Sequence, residues 1–173
     1  DVNNFFILTA SMGDLLMVNT ATAAIGGRRN RDLLKLTIQN ATNSQTITID
    51  RMLVTWDNLR RLNQILIGPP PAEWTGNLSS PANANITNFK LDTTPTIYNV
   101  TRLRFSGSML GATISIQFIM TDGSTRFLTV FPASNANNFI VNSSGRVANS
   151  SIKRLIRAEY NARTGRIVDY EEQ

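Results

Sequence analysis

The pattern of apolar and polar positions divides the chain in two. Residues 5–25, FFILTASMGDLLMVNTATAAI, carry a single charge, Asp14. At helical spacing Leu8, Met12, Leu15, Leu16 and Met17 share a broad apolar side, which predicts a helix over roughly 5–24. The stretch is close to the length that crosses a bilayer, yet its Ser, Thr, Asn and Gly content and the central Asp14 make it a poor span. Gly26-Gly27 predicts the helix stop, and GGRRNR (26–31) reads as a linker.

From Asp32 the period changes to two. LLKLTIQ places Leu34, Leu36 and Ile38 on one face. Ile47 and Ile49 share a face, whereas Met52, Val54 and Trp56 take the opposite parity. A parity change inside one strand predicts a β-bulge at Asp50-Arg51, with Trp56 capping the buried face. NQILI (63–67) and NITNFKL (85–91) read as strands. GPPPAEWTGN (68–77) reads as irregular, because three consecutive prolines remove ladder donors. YNVTRLRFS (98–106) alternates, with Val100, Arg102 and Arg104 opposite Leu103 and Phe105. Asp122-Gly123 joins two alternating runs, with Ile114, Ile116, Phe118 and Met120 on one face of the first, and so predicts a hairpin. NNFIVN (137–142) is a further strand, and 151–172 reads as a closing hairpin with Gly165 in its turn. Nine or ten strands at this spacing predict a mainly β fold, an antiparallel sandwich or barrel.

The whole chain has 173 residues, 42% hydrophobic and 17% charged, enough for one globular core. It contains 19 Asn, 19 Thr and 13 Ser, the composition of strands joined by polar turns. The net charge is +5, from 14 Arg and 3 Lys against 12 acids. These arginines are dispersed along the sequence, so nucleic acid is not expected as a partner.

The chemistry is bounded by two absences. The chain has no His and no Cys, which removes the commonest general base, the commonest zinc ligand and all thiol chemistry. The acids are scattered with no marked pair for glycoside hydrolysis, and Asp57-Asn58 is too sparse for a calcium loop. AIGGRRNR lacks the spacing of a phosphate loop, and no nucleophile elbow is present. No enzyme activity, cofactor or metal is expected. Sequons begin at Asn40, Asn77, Asn85, Asn99, Asn142 and Asn149, all but Asn99 in or near expected turns. They are possible glycosylation sites and favour an exported protein.

An apolar N-terminal segment, a short Gly/Arg hinge and an all-β domain resemble the type IV pilin-like proteins, including pseudopilins and archaellin-type subunits. LTIQNATNSQTITIDRMLVTW resembles the first hairpin of their heads, VTRLRFSGSMLGATISIQFIMTDGST a later one, and RAEYNARTGRIVDYEE a closing one. The resemblance covers roughly 30–172. It departs at the start, where DVNNFF stands in place of a long unbroken apolar helix with an early glutamate.

The resemblance implies an Ig-like antiparallel β-sandwich head over 32–173, a hinge at 28–31 and an apolar stalk over 1–27. It implies a subunit of an extracellular or cell-surface filament, or of its assembly machinery. Such a subunit self-associates as a homo-oligomer, or with other pilin-like subunits, through Phe5, Phe6, Leu8, Met12, Leu15 and Leu16. Membrane contact would come only through a missing or truncated N-terminal part. Two other readings remain open. A cell-surface glycan- or protein-binding module could stack a sugar on Trp74. A jelly-roll capsid protein would use the N-terminal segment as an arm.

Overall fold

A computed structural model describes residues 10–42, 44–93, 97–132, 138–146, 153–161 and 166–172. In chain order it contains helix α1 (Met12–Leu15) and strands β1 (Leu16–Asn19), β2 (Ala24–Gly26), β3 (Asp32–Leu34), β4 (Leu36–Asn40), β5 (Ile47–Trp56), β6 (Leu62–Ile67) and β7 (Trp74–Leu78). There follow β8 (Ala82–Leu91), β9 (Ile97–Phe105), β10 (Ile114–Met120), β11 (Thr125–Val130), β12 (Asn138–Arg146), β13 (Lys153–Asn161) and β14 (Arg166–Glu172). The fold is mainly β, and every strand pair is antiparallel.

The strands form three sheets. In the first, β9 is central: β3 and β4 pair with successive parts of one edge and β6 with the other, while β1 and β2 lie outside β4 and β3, and β7 outside β6. The second sheet has the order β11-β10-β5-β8, and the third β12-β13-β14. The first two sheets share one hydrophobic cluster. The first contributes Leu16, Leu33, Leu36, Leu103 and Phe105, and the second Ile49, Met52, Val54, Ile116 and Phe118. Alternation produces this directly, since every second side chain of a strand faces the same side. Ile114, Ile116, Phe118 and Met120 of β10 are buried as their spacing predicts. Trp56 lies at the edge of this core, edge-on to Phe105 with ring centroids 5.1 Å apart.

Two expected features of the second sheet are present. The β10–β11 hairpin turns over 121–124, with Gly123 at φ +83°. The bulge is at Asp50: Arg51 lies opposite Ile119 and Ile49 opposite Met120, so Asp50 is the extra residue. The inserted residue lets Ile47, Ile49, Met52, Val54 and Trp56 all face the core despite their change of parity.

Among the described residues the long N-terminal helix is not formed. Helix α1 is four residues, closed by a capping box in which Ser11 accepts from the Asp14 N–H and Asp14 accepts from the Ser11 N–H. The chain then extends, and β1 pairs with β4 from Leu16↔Asn40 to Asn19↔Thr37. Sparse apolar residues satisfied a helical period, but Val18, Thr20 and Thr22 are β-branched, and an open strand edge outweighs a marginal isolated helix. The expected stalk is therefore part of the first sheet over 16–26. GGRRNR is not a hinge between domains but the turn of the β2–β3 hairpin, with Arg29 at φ +63° and Asn30 at φ +53°.

Three smaller corrections share one cause, local irregularity that resets parity. Lys35 has φ +62°, which breaks one long strand into β3 and β4 and places Leu33 rather than Leu34 in the core with Leu36 and Ile38. Across the sheet Leu66 pairs with Arg102 but Ile67 with Val100, so Thr101 is an extra residue. Val100 consequently joins Leu103 and Phe105 in the core and leaves the face of Arg102 and Arg104. The proline segment is irregular only up to Glu73, and Trp74–Leu78 pairs with β6.

Candidate functional site

Of the residues expected to self-associate, Met12, Leu15 and Leu16 are described, and all three pack on the main core cluster. Phe5, Phe6 and Leu8 lie outside the described residues. Met12 and Leu15 are half-buried against the core, and Leu16 is fully buried in it. Leu16 therefore stabilises the monomer and is not available to a partner. Trp74 is half-buried at the start of β7 and packs against the core cluster. Its ring covers Gly76, where a Cβ would come within 2.3 Å of Cζ2.

The sequons mostly fall in strands rather than turns. Asn40 ends β4 and is 2% exposed. Its Nδ2 donates to the carbonyls of Gln45 at 2.8 Å, Asp92 at 3.2 Å and Leu91 at 3.3 Å. A glycan on that nitrogen would displace these bonds, so the fold uses Asn40 as a structural bracket. Asn77 and Asn85 are exposed on β7 and β8. Asn99 and Asn142 lie in β9 and β12, and Asn149 lies outside the described residues.

Two hollows border the third sheet. One, of about 350 Å³, lies between the chain just before β10 and the second half of β14 and is lined among others by Thr113, Phe131, Arg157, Glu159, Asp169 and Glu171. Arg157 Nη1 is 3.6 Å from Asp169 and 3.9 Å from Glu171, and the guanidinium carbon sits 5.8 Å from the Phe131 ring centroid. This arrangement links β13 to β14 and to the chain beyond β11. The other hollow, of about 820 Å³, runs between Met17–Thr22 and the Ile140-Val141 pair of β12. Among the described residues no three acids are grouped as a metal would need, and no helix is long and apolar enough to cross a membrane.

The largest charge feature was not legible as such in the sequence. Arg28, Arg29 and Arg31 lie in the β2–β3 turn, Arg60 and Arg61 in the β5–β6 loop, and Arg102 and Arg104 on β9. Antiparallel pairing sets the start of β3 and the start of β6 against the end of β9. The Phe105 N–H donates to the Arg31 carbonyl at 2.9 Å, and the Ser106 N–H to the Arg61 carbonyl at 2.8 Å. The Met109 N–H closes the same end onto the Asn30 carbonyl at 2.9 Å. The dispersed arginines thus meet at one end of the molecule.

Among the described residues, Asp32 and Asp57 lie at the strand ends that meet here. Asp32, 3% exposed, accepts two bonds from Arg104, from Nε at 2.8 Å and from Nη2 at 3.2 Å. The hydrogen bond to Asp32 holds the Arg104 guanidinium protonated, raising its pKa. Asp57 accepts the Thr113 N–H at 2.9 Å. Seven arginines against two aspartates leave an excess of five, equal to the net charge of the whole chain. The remaining ten basic and ten acidic residues cancel. Gly27 holds the turn in place: its φ is +71°, and a Cβ there would fall 2.1 Å from Asp32 Oδ2.

No protein-family model matches this chain, and comparison with curated proteins and with solved structures returns no significant match.

Proposed function

We propose that this chain is a non-enzymatic, extracellular structural protein, a homo-oligomeric subunit of a pilus-like filament or of its assembly machinery. Its body is proposed to be an antiparallel β-sandwich with an Ig-like interlock: consecutive β5 and β6 pair with consecutive β8 and β9 in opposite sheets. In the immunoglobulin arrangement the flanking strands lie beside the second and sixth strands. Here β4 lies beside β9 and β10 beside β5, so the flanking strands are exchanged between sheets. The absence of His and Cys from the whole chain favours a structural role over catalysis.

The observation that carries the reading is β14. It is the outer strand of a three-stranded sheet, and Ile167, Val168 and Tyr170 are each more than half exposed. Monomeric proteins usually blunt such an edge, because it templates pairing with another chain. A second copy would satisfy it. Apolar contacts from Phe5, Phe6 and Leu8 would add to the assembly.

Light scattering and negative-stain electron microscopy of the full chain test the reading. Concentration-dependent oligomers or filaments are expected, and Ile167→Lys with Val168→Lys should shift them to monomer without unfolding the two-sheet body. A monomer at all concentrations would remove the proposal.

A further inference from the structure

The arginine-rich end carries a second feature that charge alone does not explain. Leu59, between Asn58 and Arg60, is fully exposed, the most exposed large apolar side chain in the described residues. Leu110 in the neighbouring 107–111 loop is about half exposed. Both loops are held, not loose. Asn58 Oδ1 accepts the Arg60 N–H at 3.0 Å, and the Trp56 indole donates to the Arg60 carbonyl at 2.8 Å. Asn58 Nδ2 meets Met109 Sδ at 3.5 Å, and Met109 is fully buried. Each leucine is thus the chain neighbour of one partner in that contact, so the two project from adjoining loops. Arg28, Arg29, Arg60 and Arg61 around them are all exposed.

We infer that this end docks on the surface of an anionic lipid bilayer. Leu59 and Leu110 would enter the boundary between headgroups and acyl chains, while the four exposed arginines meet headgroup phosphates. Surface binding of this kind scales with the apolar area inserted and with attraction to anionic lipid. The guanidinium fork suits phosphate better than an ammonium does. A nucleic acid or acidic polysaccharide would use the arginines but leave the leucines in water. The known ways of binding single strands also need exposed aromatic platforms, and Trp56 and Phe105 at this end are buried. The protruding leucines are what favour lipid over a soluble polyanion. This inference does not depend on assembly, since it uses neither β14 nor residues 1–9.

Co-sedimentation of the full chain with vesicles tests it. The vesicles are of phosphatidylcholine alone, and of phosphatidylcholine with phosphatidylglycerol. Binding is expected to the anionic vesicles, and to weaken steeply toward 1 M salt, where screening shortens to about 3 Å. Arg60→Gln with Arg61→Gln should weaken it about fivefold per arginine. Leu59→Asn should weaken it about tenfold, while leaving any binding to heparin or duplex DNA unchanged. Leu59 has no buried contacts to lose and Arg60 and Arg61 are exposed, so both variants should fold, and both keep the apolar N-terminal segment. Absence of vesicle binding would overturn the inference, as would vesicle binding indifferent to Leu59→Asn and to the arginine pair. Binding to heparin or DNA with no preference for anionic vesicles would replace lipid by a soluble polyanion.

Discussion

Strands β10 and β13 are both central, each paired on its two edges. Their surroundings differ. In β10 every second side chain is buried, with Ile114, Ile116 and Phe118 sealed completely. In β13 the buried described side chain is Glu159, while Ile156, Ala158 and Tyr160 are half-buried. Among the described side chains the third sheet contributes Ile140 to a buried apolar pair with Ala24, whereas the first two sheets and their adjoining loops share a cluster of 28 residues. Hydrogen-bonded ladders are therefore not what separates the two regions. A ladder exchanges bonds to water for bonds to protein and gains little net, whereas each large side chain taken out of water contributes about 1.5–3 kcal/mol. The third sheet should open at lower free energy than the body, and amides of β13 should exchange faster than those of β5 and β10.

The largest effect expected is from deleting Asp50. Without the bulge residue, either Ile47 and Ile49 or Met52, Val54 and Trp56 must turn away from the core. Losing two or three buried side chains costs about 3–9 kcal/mol, comparable to the whole stability of an ordinary domain. No cooperative thermal transition should remain, while the third sheet could not rescue it. A variant that still melts cooperatively would show that the bulge is dispensable.

Next comes Phe118→Ala, which empties a fully buried position of β10 and should cost about 4 kcal/mol in chemical denaturation. The matching change in the third sheet, Ile167→Thr on exposed β14, should cost under about 0.5 kcal/mol. Equal costs would mean that the third sheet carries a core of its own, and the comparison would fail.

Asp32→Ala should fall between these, at about 2 kcal/mol. It leaves Arg104 without its bidentate partner at a site where Asp32 is sealed and Arg104 is 29% exposed. That partial exposure is why the expected cost lies below the range for a fully buried pair. Asp32→Asn should recover part of it by keeping one bond. Equilibrium urea curves for the two variants measure the difference; identical losses would show that the neutral bond recovers nothing, and a negligible loss in Asp32→Asn would show that the charge is irrelevant.

These regions also differ in how far the sequence revealed them. The β10–β11 hairpin and the Asp50 bulge were legible because the alternation there is long and the turn dipeptide is specific. Residues 16–26 were misread, since Leu15, Leu16 and Met17 fit a helical stripe as well as they fit an extended chain. Only the open edge of β4, forty residues into the chain, decides between them. The Lys35 and Thr101 irregularities were missed because each shifts parity within a run of apolar residues that offers a plausible partner at either parity. The arginine end was missed for a topological reason. Its residues sit beside three strand ends far apart in sequence, and only the pairing of β3 and β6 with β9 brings them together. The signal available in advance was that RRNR, LRR and RLR each abut a strand terminus.

The smallest expected effect concerns how α1 is held to the body. The Met12 N–H donates to the Asp122 carboxylate at 3.0 Å, and the Gly13 N–H to Ser124 Oγ at 2.8 Å. Gly13 approaches Thr125 so closely that a Cβ would meet its carbonyl oxygen at 2.6 Å. The Ser124 hydroxyl, followed by the backbone donors, lowers the Asp122 pKa. A carboxylate with a lowered folded pKa stabilises the fold above its unfolded value, near 3.9, and loses that contribution as pH falls through the folded value. Burial pushes Glu73 the other way, so its contribution is present at low pH and is lost as pH rises through its folded value. Exchange protection of the amides in α1 should hold from neutral pH to about 4 and then decline, and Asp122→Asn should flatten that decline. Because Asp122 is exposed, the effect on global stability is small, and the readout must be local. Protection in α1 that falls equally in the Asp122→Asn variant would place the tether in the Gly13–Ser124 contact and in packing of Met12 and Leu15, with no part played by the carboxylate.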